Sequence, residues 1–122
     1  MKKLVLTLML GICLSTHATE PNLAQCQKVL EDVMVIFAHD MSCDKHGLSS
    51  SKHIDDKTQK HAERLLGEWE GCQAVLDNFY KNASDNDPYL QALDKKLSIY
   101  NKPNEKTCQS QLPKIKSIFS KY

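Results

Sequence analysis

Four histidines within a stretch of 23 residues are the side chains whose chemistry stands out in the sequence. The histidines are His39, His46, His53 and His61, and the neighbouring aspartates are Asp40, Asp44, Asp55 and Asp56. Imidazole and carboxylate groups are good ligands for Zn²⁺ and Cu²⁺. However, Gly47 and three consecutive serines interrupt the stretch, and no compact motif such as H-E-x-x-H is present. Two interpretations follow. One is a metal site formed by His39, His46, His53 and His61. The other, which the sequence favours, is a solvated polar loop between two helix ends.

No arrangement of residues indicates a catalytic centre. The G-x-S-x-G pattern of a serine nucleophile is absent from the sequence. Glu68 and Glu70 flank Trp69, but residues two apart on a helix do not face each other. We therefore expect no catalytic residue and no cofactor, and we expect a protein that is not an enzyme.

Four cysteines follow the first 18 residues: Cys26, Cys43, Cys72 and Cys108. Their number is even, no C-x-x-C pair occurs, and the gaps between them are longer than those of typical zinc ligands. The pattern therefore predicts two disulfides, which small domains in oxidising compartments commonly use to supplement a limited core.

The order of the predicted helices selects one pairing of these cysteines. If the first helix rises to about residue 41 and the second descends from about residue 54, Cys26 and Cys72 lie roughly 22 Å and 27 Å below the top. Cys43 and Cys108 both lie near the top. The sequence therefore predicts Cys26–Cys72 and Cys43–Cys108, because Cys43–Cys72 would span more than about 20 Å and a bridge needs Cα atoms within about 7 Å.

Hydrophobic periodicity predicts an all-α fold, in the simplest case an up-down bundle of about four helices. The first apolar stripe contains Leu23, Cys26, Leu30, Val33, Ile36 and Phe37. The second runs from about Ile54 through Leu65, Leu66, Trp69, Cys72, Val75, Leu76 and Phe79. A third helix covers 88–100, and a fourth covers about 105–119, where Pro113 should kink or split it.

The first 18 residues have the pattern of a cleaved secretory signal peptide. Lys2 and Lys3 precede an apolar run over 4–14, and Thr16-His17-Ala18 places small residues for cleavage before Thr19. A run of about 11 residues is too short to cross a hydrocarbon core of about 30 Å. We therefore expect one helical domain over 19–122, a periplasmic or secreted location, and no stable membrane anchor.

Charge and composition indicate a protein partner. The formal net charge of the chain is +1, so nucleic acid is not an expected ligand. The charges are uneven: residues 19–94 contain 14 acidic and 7 basic residues, whereas residues 95–122 contain 7 lysines and one glutamate. We expect an exported, non-catalytic binding protein that recognises another protein, such as an inhibitor or immunity-type protein. The alternatives are a Zn or Cu binder that uses the histidine-rich loop and a carrier of a small apolar ligand.

Overall fold

The computed structural model describes residues 21–50 and 55–122, so the predicted signal peptide, Thr19 and His53 lie outside the described residues. The described part is all-helical and contains no strand, which confirms the predicted class. Its five α-helices are α1 Leu23–Cys43, α2 Asp56–Gly71, α3 Gln73–Asn82, α4 Pro88–Leu97 and α5 Glu105–Phe119. Two short 3₁₀ helices, Asp44–His46 and Ser98–Tyr100, follow α1 and α4.

Helix α1 is the central element of the fold. It is 21 residues long, and it contacts each of the other four helices. Its first turn is fixed by a capping box, in which the Asn22 side chain accepts from the Gln25 amide and the Gln25 side chain accepts from the Asn22 amide. Buried apolar side chains around α1 include Val29, Leu30, Val33, Leu76, Leu93, Ile115, Ile118 and Phe119.

Two disulfides tie the two ends of α1 to the rest of the domain. Cys26 in the first turn of α1 is joined to Cys72 with a Cα–Cα distance of 5.4 Å. Cys43 in its last turn is joined to Cys108 of α5 with a Cα–Cα distance of 5.7 Å. This is the pairing that the helix heights predict, and all four cysteines are buried.

The predicted second helix is divided into α2 and α3 at Cys72. Gly71 ends α2, and the backbone amide of Cys72 bonds to the carbonyls of Glu68 and Trp69. Glycine destabilises a helix by about 1 kcal/mol relative to alanine, and two glycines in successive turns weaken the helix at this point. Cys72, at the break between the two helices, is bonded to Cys26 of α1.

Of the two outcomes predicted at Pro113, a kink or a split of the last helix, the split does not occur, because α5 is one continuous helix from Glu105 to Phe119. Proline removes the amide that would bond to the carbonyl four residues earlier. The buried side chains of Cys108, Ile115, Ile118 and Phe119 hold both sides of the proline against the core. Packing therefore outweighs the local loss at Pro113.

Candidate functional site

His39 is fully buried at the junction of α1 and α5. Its Nε2 lies 3.1 Å from the carbonyl oxygen of Cys108, and because a carbonyl only accepts, Nε2 carries the proton of this hydrogen bond. The ring also packs edge-on against Tyr100, with ring centroids 5.8 Å apart. His39 therefore joins the two helices beside the Cys43–Cys108 bridge.

The carboxylate of Asp40 binds Ser50 in the segment that follows α1. It accepts hydrogen bonds from the Ser50 amide at 2.6 Å and the Ser50 hydroxyl at 2.8 Å. His39 Nδ1 lies 3.7 Å from Asp40 Oδ1, which is too long for a hydrogen bond. Activation of a serine requires the imidazole to stand between the serine and the carboxylate, whereas here Ser50 bonds directly to Asp40.

The other described histidines of the predicted metal site are His46, in the 3₁₀ turn after α1, and His61, on α2. Both are partly exposed. In the part of the chain that the structure describes, His46 Nε2 and His61 Nδ1 have no hydrogen-bond partner. No three His, Cys, Asp or Glu groups among residues 21–50 and 55–122 are arranged to hold a metal ion. A site that depends on His53 stays a prediction.

A second polar cluster lies between α1, α2 and the last residues, around the buried carboxylate of Asp32. Lys121 Nζ lies 3.1 Å from Asp32 Oδ1, and the Tyr122 hydroxyl donates to Oδ2 at 2.5 Å. The main-chain oxygen of Tyr122 accepts from Arg64 at 3.0 Å. Burial, the hydrogen bond to Asp32 and the negative charges of Asp32 and Glu68 all raise the pKa of Tyr122. The cluster fixes residues 121–122 across α1 and α2.

An open groove of about 1150 Å³ lies beside this cluster. Gly67 and Gly71 of α2 line it, and a Cβ added at either position would meet nothing within 4 Å. The sequence suggests that these glycines allow a neighbouring helix to approach, but no described helix does so. Lys28, Arg64 and Glu68 also line the groove, so its charges are mixed.

A group of exposed apolar side chains lies on another side of the molecule. Met34, Phe37 and Met41 of α1 are 37%, 57% and 82% exposed, and Leu66 of α2 is 56% exposed. We call these four residues the apolar shelf. The three α1 residues are spaced by three and four positions, so they share one side of the helix.

On this side of α1, the contacts made by α3 and α4 lie in its N-terminal half. There Leu23 lies beside Val75 and Phe79 of α3, and the Tyr89 hydroxyl donates to the Gln27 carbonyl. Leu30, on the same side of α1 as Phe37, is accordingly buried. Past Leu30, the described residues leave this side of the helix open.

Leu66 belongs to the same surface as the α1 residues. Arg64, Gly67, Glu68 and Gly71 of α2 line the groove together with Gln25, Lys28 and Asp32 of α1. With 100° between successive helical residues, Leu66 points away from those α2 residues, and Phe37 points away from those α1 residues. The groove and the shelf therefore lie on opposite sides of the α1–α2 pair.

Comparisons with known proteins found no family model, curated protein or solved structure that matches this chain. None of the described helices is long and apolar enough to cross a membrane.

Sequence periodicity did not identify the shelf, since it assigns Phe37 and Leu66 to the core stripes. One signal was present: residues 33–38 read Val-Met-Val-Ile-Phe-Ala. An uninterrupted apolar run on a helix covers more than the single stripe that a core needs. Such a helix needs neighbours on several sides if all of its apolar residues are to be buried. In α1, Val33, Val35 and Ile36 are buried, whereas Met34 and Phe37 remain exposed.

Proposed function

We propose that this chain is an exported, non-catalytic binding protein that recognises another protein, as inhibitors and immunity-type proteins do. The observation that carries the proposal is the apolar shelf. Aromatic and methionine side chains are enriched in protein interfaces, and a contiguous exposed apolar surface on a small domain is typical of an interaction site. A rigid surface of this kind binds with little loss of conformational freedom.

The two disulfides support the proposal that the binding surface is rigid. The bridges Cys26–Cys72 and Cys43–Cys108 fix both ends of the helix that carries most of the shelf. Disulfides persist in oxidising compartments, which supports a periplasmic or secreted location and cleavage of a signal peptide before Thr19. The finer arrangement that we propose for residues 19–122 is an up-down bundle. Intact-mass measurement of exported protein should give a chain that begins at Thr19, and a mass that includes Met1 would contradict export by cleavage.

Site-specific cross-linking tests the binding function directly. A photoreactive phenylalanine analogue is placed at Phe37, and the protein is irradiated in the compartment to which it is exported. The matched control carries the analogue at Lys28, which is exposed on the groove side of the same helix. We expect one protein to be captured in stoichiometric amount from position 37 and not from position 28.

The captured protein is then purified and mixed with the intact domain. We expect a 1:1 complex by calorimetry, and we expect Phe37→Asp to weaken it by about tenfold or more, with Leu23→Ala as the control for an exposed apolar residue outside the shelf. If no protein is captured at position 37, or if Phe37→Asp binds as tightly as the original, the proposed function is wrong.

A further inference from the structure

The chemistry around the apolar shelf identifies the class of partner. We propose that the shelf binds a basic amphipathic helix presented by another protein, an inference that rests on the proposed binding function and specifies its partner. The argument depends on the spacing of the shelf residues and on the charges at the edge of the shelf.

The spacing of the shelf residues suits a helix. Met34, Phe37 and Met41 span two turns of α1, or about 10 Å along its axis. Leu66 of α2 faces the same side of the α1–α2 pair, so the exposed apolar surface includes side chains from two helices. An amphipathic helix binds such a strip through side chains that repeat at three and four residues. Methionine adapts its shape to the side chains it meets, and two of the four shelf residues are methionines.

The exposed charges that flank Leu66 on α2 are negative. Glu63 and Glu70 lie three residues before and four residues after Leu66, so they lie on the same side of α2. Both are exposed, and within the described part of the chain neither forms an ion pair. Glu31 on α1 differs, because it is paired with Lys96. Two unpaired carboxylates beside an apolar strip favour lysine or arginine on the partner helix.

The same carboxylates argue against two other occupants. In a symmetric dimer through the shelf, Glu63 and Glu70 of both copies would be brought towards one interface, where like charges repel. An anionic lipid surface attracts lysine and arginine clusters, and the shelf is bordered by glutamates instead.

Two designed helical peptides test the proposal with the intact domain. They share the same leucine positions, and one has lysines on its polar face where the other has glutamates. Trp69 is the only tryptophan of the chain, and it lies one turn from Leu66, so its fluorescence reports binding. We expect the lysine peptide to bind about tenfold or more tightly than the glutamate peptide, with a difference that decreases as salt is added.

Charge reversal on α2 provides the matched variants. Glu63→Lys with Glu70→Lys should remove the preference for the lysine peptide or reverse it. Glu68→Lys should leave the preference in place, because Glu68 lines the groove on the other side of the helix. Phe37→Asp should abolish binding of both peptides, and circular dichroism should show that this exposed substitution leaves the fold intact.

Several results would overturn the proposal. Equal or tighter binding of the glutamate peptide, or unchanged preference in the double charge variant, would exclude a basic partner helix. A concentration-dependent dimer that Phe37→Asp dissociates would assign the shelf to a second copy. If neither peptide binds while cross-linking from Phe37 captures a stoichiometric partner, this inference fails and the proposed function stands. If cross-linking from Phe37 also captures nothing, both fail.

Discussion

The hydroxyl of Tyr122 donates a 2.5 Å hydrogen bond to the carboxylate of Asp32, which is only 3% exposed. Lys121 supplies the positive charge beside the same carboxylate. A buried carboxylate is stable only when it is paired and hydrogen-bonded. The last two residues therefore provide the charge and the hydrogen-bond donor that the buried Asp32 carboxylate needs, and Asp32 in turn holds those residues against α1.

Removal of the Tyr122 hydroxyl should destabilise the domain. In Tyr122→Phe the ring still fills its place, but Asp32 loses one donor, which costs about 1–3 kcal/mol in the free energy of unfolding. Urea denaturation measures the change. Tyr80→Phe is the control, since the Tyr80 side chain is 47% exposed and its loss should change the stability by less than about 0.5 kcal/mol. Equal effects of the two substitutions would show that the bond to Asp32 contributes nothing.

Alkaline pH should unfold the domain. Burial raises the pKa of all four tyrosines, Tyr80, Tyr89, Tyr100 and Tyr122, and the charges of Glu31 and Asp32 add to the effect at Tyr89 and Tyr122 respectively. Unfolded tyrosine titrates near pH 10. The folded state therefore holds these protons more tightly than the unfolded state. The stability that these four tyrosines contribute is fully present below about pH 10 and is lost as the pH rises from there towards their higher folded-state pKa values.

Tyrosinate absorbance and helical circular dichroism, followed together against pH, check this expectation. We expect most of the tyrosinate signal to appear in the same transition in which helix is lost. A complete tyrosinate titration near pH 10 by a domain that remains helical would contradict it.

The sequence predicted how far along each helix a residue lies better than it predicted which sides of the helices are covered by their neighbours. The disulfide pairing followed from heights, because the rise per helical residue is nearly constant. Periodicity placed Phe37 and Leu66 on the same apolar stripes as the buried residues, because it identifies the apolar side of a helix without showing how far a neighbouring helix covers that side. The contact between Asp32 and Tyr122 joins residues 90 apart in the chain, and no local pattern signals such a pair.

The fold should not depend on a metal ion. His39 is held by Cys108 and Tyr100 inside the protein, so its role in packing needs no ligand. A chelator should leave the helical circular dichroism and the unfolding midpoint unchanged. A large loss of helix on chelation would show that the histidines bind a structural metal, because the free energy of binding that metal would then contribute to folding.

His39 itself should matter for stability. His39→Leu removes the donor to the Cys108 carbonyl and should lower the free energy of unfolding by about 1–3 kcal/mol. His39→Gln is the matched variant, since its amide can still donate to that carbonyl, and we expect a smaller loss. If both variants lose the same amount, the hydrogen bond is not the source of the effect.

The two disulfides should contribute a large part of the stability, because each closes a long loop in the unfolded chain. Cys26–Cys72 and Cys43–Cys108 join residues 46 and 65 apart. The chain-entropy model gives about 4 kcal/mol for each loop of this length, and the whole stability of a small domain is about 5–15 kcal/mol. Replacing either pair with alanine should therefore lower the unfolding midpoint strongly, and full reduction should loosen or unfold the domain.

Peptide mapping without reductant should recover Cys26 with Cys72 and Cys43 with Cys108. A peptide that links Cys26 to Cys43 or Cys108 would contradict the pairing and the helix order on which it depends.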